Sequence, residues 1–380
     1  MSGDGDAAWA GSVCVVLASS TGGVGQHVTY LIRGLSAAGA TVTVCGPAAT
    51  EEHFGFTRTG ENIRFVPVEI PANPGPGDGR AIGALRRVLT GPFDVVHAHG
   101  LRAGLVAALA RPTQPLVVTW HNAVLATGLR GQASRLAERV VARAARVTLG
   151  ASQDLVDRAT ALGATDARLA PVAAPAAAPP RRGRAAVHAE LGIERDRPMV
   201  LSVGRLHPQK RYDVLVDAAA RWRALDPSPV VVIAGSGPAY LQLAARISAE
   251  RAPVLLLGHR GDVPDLLAAA DVAVVTSDWE ARQLFAQEAL HAGVPLVTTA
   301  VGGLPDLLGD AAVLVPAGDV DAIATAVADL LADPARRDDL RRRGTARAAQ
   351  WPTEQQTVDL VRAVYAEVTP VRRPPAEHGR

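Results

Sequence analysis

Short runs of Val, Leu, Ile and Ala recur along the chain between longer amphipathic stretches, and this alternation constrains the fold more than any other feature. Runs of this length that stay apolar throughout suit strands covered by helices on both faces of a sheet. In the first half they predict strands at Val13 to Ala18, Thr41 to Gly46, Val95 to Ala98, Leu116 to Thr119 and Val147 to Ala151. Helices are expected between them, among others Gln26 to Ala38 and Leu101 to Ala110. A second series follows in "PMVLSVGRL", "PVVVIAGSG", "VLLLGH", "DVAVVTS", "PLVTTA" and "AAVLVPAG". The pattern is that of repeated strand-helix units in parallel sheets, an α/β chain.

Around Ala170 the alternation breaks into "LAPVAAPAAAPPRRGR", whose prolines disfavour both helix and central strand, so this stretch reads as a linker. A length of 380 residues also exceeds one ordinary core. The expected division is residues 1–178, residues 179–351, and a C-terminal stretch 352–380 returning to the first domain. In that stretch Thr353 to Val368 carries a helical pattern, and "VRRPPAEHGR" reads as disordered. The Pro- and Gly-rich segment at 71–80 reads as a mobile surface loop.

A net charge of +2 and 4% aromatic residues argue against nucleic acid as a partner. Cys14 and Cys45 each sit in a strand-like run, as small core hydrophobes rather than a disulfide or zinc framework. The run Ser12 to Ala18 is too short to cross a bilayer and lacks the basic flank of a signal peptide, which leads to a cytoplasmic expectation. Arg135, Arg139 and Arg143 fall on one helical stripe that suits anionic lipid or an acidic acceptor, with a solvated face as the simpler reading. Peripheral contact at the inner face of a membrane stays open on that basis.

Between the first strand and helix lies "SSTGGVGQH", where Gly22, Gly23 and Gly25 let backbone N–H groups approach an anion at a helix N-terminus. A tight turn needs glycine without any ligand, so the motif is weak alone. The acid that a dinucleotide fingerprint places about 20 residues on has no counterpart in "VCGPAAT", which disfavours NAD. In the second half, "SVGRLHPQKRYDVLVDA" sets Arg205 just after a strand and Lys210 entering the next helix, two cations suited to a pyrophosphate. Of 39 basic residues the only lysine is Lys210, so a compact point charge is selected there rather than another guanidinium fork. Further on, "TSDWEARQLFAQEALHAGVPLV" puts Glu280 at a strand end and Glu288 in the following helix, where carboxylates accept hydrogen bonds from sugar and ribose hydroxyls. Either glutamate alone would read as an ordinary surface acid.

These motifs together, with "AGVPLVTTAVGGLPDLLGDAAVLVPAGDVDAIATAVADLL" after them and "GGVGQHV", "DVVHAHG" and "TWHN" before, resemble the retaining GT-B glycosyltransferases. That large family includes sucrose synthases, bacterial mannosyltransferases and the inositol-phosphate N-acetylglucosaminyltransferase. The likeness spans nearly the whole chain, most specifically residues 200 to 332. It implies two Rossmann-like doubly wound parallel-sheet domains facing across a cleft. It also implies a nucleotide-sugar donor (a UDP-sugar or GDP-mannose) and a hydroxyl acceptor, whether sugar, inositol phosphate, lipid-linked glycan or small molecule. No cofactor and no metal are implied.

By the same resemblance Arg205 and Lys210 bind the diphosphate, Glu288 holds the ribose, Glu280 contacts the transferred sugar, and the backbone at Leu284 and Phe285 caps the phosphate. Gly258, His259 and Arg260 fall where the family lets backbone groups meet the base, while Gly23 and His121 come from the first domain toward the phosphate and the reacting sugar. Transfer would keep the anomeric configuration through a same-face displacement, with protein cations stabilising the leaving group. The chain departs from the family at Ala281, where glycine is usual, at Arg282 and Gln283, and in lacking an Asn-Gly turn in the linker.

His97 reads as a hydrogen-bonded strand histidine, and His99 is expected just beyond the strand end, reaching the acceptor. The ten histidines are scattered in sequence, so no metal site is expected. Two other readings share these motifs: a nucleotide-sugar epimerase, and a non-catalytic nucleotide-sugar-binding partner protein.

Overall fold

The computed structural model describes residues 9–71, 73, 75, 77–126, 128–173 and 178–369. They form two compact units, one of residues 9–173 with 352–369 and one of residues 178–351, each built on a single parallel sheet.

The first unit carries β1 (Ser12–Leu17), β2 (Thr41–Gly46), β3 (Ile63–Pro67), β4 (Val95–His99), β5 (Leu116–Trp120), β6 (Val147–Gly150) and β7 (Ala167–Leu169). Their order is β3-β2-β1-β4-β5-β6-β7, all parallel. The chain steps outward from β1 to β3 and returns to place β4 on the other side of β1. Strand order therefore reverses between β1 and β4, and in open parallel sheets ligands gather at the carboxyl ends beside such a reversal. Val13 through Leu17 of β1 are fully buried, which is why this strand is a continuous apolar run.

The five expected strands are present to within a residue, as is the helix Gly100–Ala110, while the helix Gly23–Ala37 begins three residues before the expected Gln26. Two strands have no strand reading in the sequence analysis. Both β3 and β7 lie at sheet edges, are only partly buried, and carry an arginine, so the run of apolar residues that marks a central strand is missing. The segment expected as a loop at 71–80 is corrected at its end, because Asp78 opens the helix Asp78–Val88. Positions 72, 74 and 76 of that loop lie outside the described residues, as do 174–177 of the linker and the tail 370–380. Cys14 and Cys45 are buried free thiols with their sulfurs 3.7 Å apart. Their hydrogen bond, then burial, pushes the Cys14 thiol up.

The C-terminal helix Glu354–Val368 starts with a capping box, Thr353 Oγ1 accepting from the Gln356 N–H and Gln356 Oε1 accepting from the Thr353 N–H. Its apolar face, Val358, Val361, Val364 and Tyr365, joins the core of the first unit. A Cβ on Gly34 would lie 2.6 Å from Val358, so the helix Gly23–Ala37 meets it through a bare backbone.

The second unit carries β8 (Met199–Val203), β9 (Val230–Ala234), β10 (Val254–Gly258), β11 (Val272–Val275), β12 (Leu296–Thr299) and β13 (Val313–Val315). The parallel order is β10-β9-β8-β11-β12-β13, with the reversal between β8 and β11. Apolar cores fill both faces of this sheet.

Candidate functional site

Two loops leave the second sheet at its reversal, one after β8 and one after β11, and main-chain contacts fix both. The Gly204 N–H donates to Ala234 O at 3.0 Å and the Leu206 N–H to Ser236 O at 2.9 Å, so the ladder from β8 to β9 continues past both strand ends. A Cβ on Gly235 would meet Gly204 O at 1.9 Å and one on Gly237 would meet Leu206 O at 2.4 Å. Only glycine permits that approach. It holds Arg205 on a rigid edge. Lys210 does not enter a helix, as the spacing suggested. Instead it ends a single 3-10 turn, Pro208–Lys210, ahead of the helix Tyr212–Arg221, because Pro208 opens the turn and Arg211, at φ 49°, breaks it.

The loop after β11 is stitched to this turn. Thr276 Oγ1 donates to Lys210 O at 2.8 Å, the Asp278 N–H to Gln209 O at 2.9 Å, and Gln209 Nε2 to Trp279 O at 2.8 Å. Glu280 lies five residues beyond the strand rather than at its end, since β11 stops at Val275. Its Oε1 accepts from Lys210 Nζ at 2.5 Å and from Ser277 Oγ at 2.6 Å. The main chain of Glu280 is held too: the Gly303 N–H donates to its carbonyl at 2.8 Å, and a Cβ on Gly302, at φ +53°, would lie 2.2 Å from that oxygen.

Arg205 is exposed and has no ion-pair or hydrogen-bond partner for its side chain among the described residues. Arg260 differs. Its guanidinium pairs with Asp262 at 2.6 Å and Glu190 at 2.8 Å, so it braces the loop after Gly258, and His259 beside it is exposed. Leu284 and Phe285 are the first two residues of the helix Leu284–His291; the Phe285 ring is buried, which leaves main chain as what this turn can offer an anion. Glu288, in the second turn, is half-buried without a protein partner, and burial raises its carboxyl above the usual range.

The departures at 281–283 are each accommodated. Ala281 is buried and outside the positive-φ region, so no glycine is needed there. The Arg282 guanidinium lies over the Trp351 ring and donates to Gln287 Oε1 at 3.1 Å. Gln283 caps the helix, its Oε1 accepting from the Ala286 N–H at 2.6 Å.

In the first unit Gly23 is the first residue of its helix, exposed, after an N-cap, Gly22, that supplies no side chain. Gly25 has a packing role instead, since a Cβ there would lie 2.1 Å from the Phe54 ring. His99 is not past the strand: pairing of β4 with Leu17 on one side and Thr119 on the other carries the strand through it. It is buried, with Nδ1 3.2 Å from His121 Nε2. His97 bonds the Tyr365 hydroxyl at 2.6 Å and Thr119 Oγ1 at 2.7 Å, as a structural histidine should.

Histidines scattered in sequence are thus gathered by the fold. Ligand-type atoms of His27, His99 and His121 lie within 4.8 Å of one another, the one such group among the described residues. No carboxylate joins it; His27 Nδ1 bonds the Tyr30 hydroxyl and His99 Nδ1 bonds His121 Nε2, while His99 Nε2 is buried without a partner. Burial, more than mutual repulsion, pulls His97 down to about 3 and His121 to about 4, and holds His27 and His99 well below the usual range. All four are neutral near pH 7.

The consequence for stability has a definite sign. Below the unfolded value of about 6.5 the unfolded chain binds protons that the folded cluster refuses, so stability is complete above that pH and falls toward about pH 4. Each histidine contributes a slope of roughly 1.4 kcal/mol per pH unit. Denaturant unfolding at pH 7.5 and pH 5.0 should show His97→Gln losing about 2 kcal/mol less than the parent chain between the two. An identical loss in both would contradict neutral burial.

Residues 183–347 match the family model "Glycosyl transferases group 1" and residues 22–175 match "Glycosyl transferase 4-like domain". The D-inositol 3-phosphate glycosyltransferase of Kineococcus radiotolerans is 30% identical over 90% of each chain. That of Geodermatophilus obscurus is 36% identical over 72% of this chain, a match spanning 66% of the relative's own length. Among solved structures, Anabaena HepE in complex with UDP superposes with a TM-score of 0.76 at 18% identity, covering 94% of this chain and 100% of that one. Sucrose-phosphate synthase from Thermosynechococcus elongatus gives 0.76 at 19%, covering 94% and 99%, and these likenesses show the GT-B fold. With two parallel Rossmann-like sheets and these relatives, the chain belongs to the group 1 glycosyl transferases.

Proposed function

We propose that this chain is a retaining, metal-independent transferase that moves a hexose or N-acetylhexosamine from a UDP-sugar or GDP-mannose to a hydroxyl acceptor. Residues 179–351 would form the donor domain, and residues 1–178 the acceptor domain, joined by the C-terminal helix of 352–380. The observation that carries the reading is Lys210, pinned by Glu280 at the sheet's reversal with Arg205 unpaired on the same loop. An ammonium has three N–H donors, so the bond to Glu280 leaves others for a diphosphate. The complexes of HepE with UDP and with UDP-glucose favour a uridine donor. The names of the relatives favour an inositol phosphate as acceptor.

In this scheme Arg205, Lys210 and the amides of Leu284 and Phe285 hold the diphosphate, Glu288 takes the ribose hydroxyls, and the backbone from Gly258 through His259 and Arg260 meets the base. Glu280 takes the sugar. Gly23 and His121 are assigned to the phosphate and the reacting sugar by family likeness; His121, neutral from burial, would hydrogen-bond a hydroxyl without adding charge. The acceptor oxygen attacks the anomeric carbon on the face that the diphosphate leaves, and the hydroxyl proton passes to the departing phosphate oxygen. Fixed cations stabilise the charge that builds there. Lys210→Ala should therefore lower sugar transfer by at least about 100-fold with an unchanged far-UV circular dichroism spectrum. Full activity in that variant would end the assignment.

No helix among the described residues is long and apolar enough to cross a membrane. Peripheral contact has a specific observation in its favour: on the helix Gly128–Ala144, Leu129 is 84% and Leu136 61% exposed beside exposed Arg135, Arg139 and Arg143. We propose that this face rests on an anionic, cytoplasmic lipid surface. Co-sedimentation should be strong with phosphatidylserine vesicles and weak with phosphatidylcholine ones, and weakened by Leu129→Ser/Leu136→Ser. Equal binding to both lipids would rule the contact out.

A further inference from the structure

Gln283 makes one side-chain hydrogen bond within the protein. Its Oε1 accepts from the Ala286 N–H at 2.6 Å and so caps the helix Leu284–His291. That bond fixes the orientation of the amide plane, and the Nε2 group on its other side has no protein partner. The residue is only 7% exposed. The amide nitrogen itself is not sealed off, so its N–H groups stay open to water or to a ligand. Three residues earlier, Glu280 shows the complementary state: Oε1 takes both protein hydrogen bonds, from Lys210 and Ser277, and Oε2 takes neither.

An open donor and an open acceptor on one short loop suit hydroxyl groups, which accept and donate at once. They suit a phosphate less, because a neutral amide adds no charge to what Lys210 and Arg205 supply. Resting on the donor-site reading above, we infer that Gln283 is a sugar-binding, specificity-determining residue: its amide nitrogen donates to an oxygen of the transferred sugar, next to hydroxyls taken by Glu280. The departure from the family pattern at Gln283 is then the chain's own means of selecting its sugar.

Serine is a good N-cap, so Gln283→Ser removes the amide donor while keeping the helix start. Titration calorimetry of parent and variant with UDP and UDP-glucose, and with GDP and GDP-mannose, separates the possibilities. For whichever pair binds, the variant should bind the sugar nucleotide roughly three- to tenfold more weakly and the nucleoside diphosphate unchanged, the latter reporting that the site is still folded. Equal weakening of both would make Gln283 a phosphate ligand or a cap only, and no weakening of either would remove it from the site; both outcomes overturn the inference and leave the donor-site reading standing. If the parent chain bound none of the four nucleotides, the donor-site reading would fall, and this inference with it.

Discussion

Two backbone approaches too close for any side chain govern the geometry of the candidate site. Gly235 lies against Gly204 and Gly302 against Glu280, with room for neither Cβ. The loops bearing Arg205, Lys210 and Glu280 are consequently anchored through main chain, to β9 on one side and to the turn after β12 on the other. Side chains anchored in this way can exchange partners while their loops stay in place, which is what a site that binds and releases an anion requires.

Many charges of the second unit are tied up in ion pairs, although Arg195 and Arg251, like Arg205, have no carboxylate partner among the described residues. Arg182, Arg184, Arg211, Arg246 and Arg260 are all engaged by carboxylates. Arg205 stands apart from them, and Lys210 is held by a carboxylate that it shares with Ser277. An arginine at 210 would present a planar fork to that shared oxygen, whereas an ammonium keeps donors directed elsewhere. The first unit is arranged differently, around imidazoles that burial keeps uncharged. Hydrogen bonding and shape, rather than charge, are what those histidines offer.

Central strands were legible because burial on both faces forces continuous Val and Leu runs, as in β1 and β8. The edge strands β3 and β7 were not, since a half-exposed strand carrying Arg64 or Arg168 loses that signature. Arg205, Lys210, Glu280 and Glu288 could be singled out by residue type and spacing. The support beneath them could not: Gly235 and Gly302 are ordinary glycines until the backbone that each must approach is known. The "GSG" after β9 was the available signal, a paired glycine at a strand's carboxyl end. The histidine cluster was hidden for a related reason, because His27, His97, His99 and His121 come from a helix and two neighbouring strand ends that only the parallel register brings together. In sequence Gln283 is only a departure from the family pattern, because capping depends on where the helix begins.

In the proposed function the carboxyl edge of β8 and β11 holds a nucleoside diphosphate. A crystal structure with UDP bound tests it most directly. The diphosphate is expected within hydrogen-bonding distance of Lys210 Nζ, the Arg205 guanidinium and the amides of Leu284 and Phe285, with the ribose on Glu288. Diphosphate bound elsewhere, with Lys210 engaged by Glu280 alone and Arg205 still free, would contradict it.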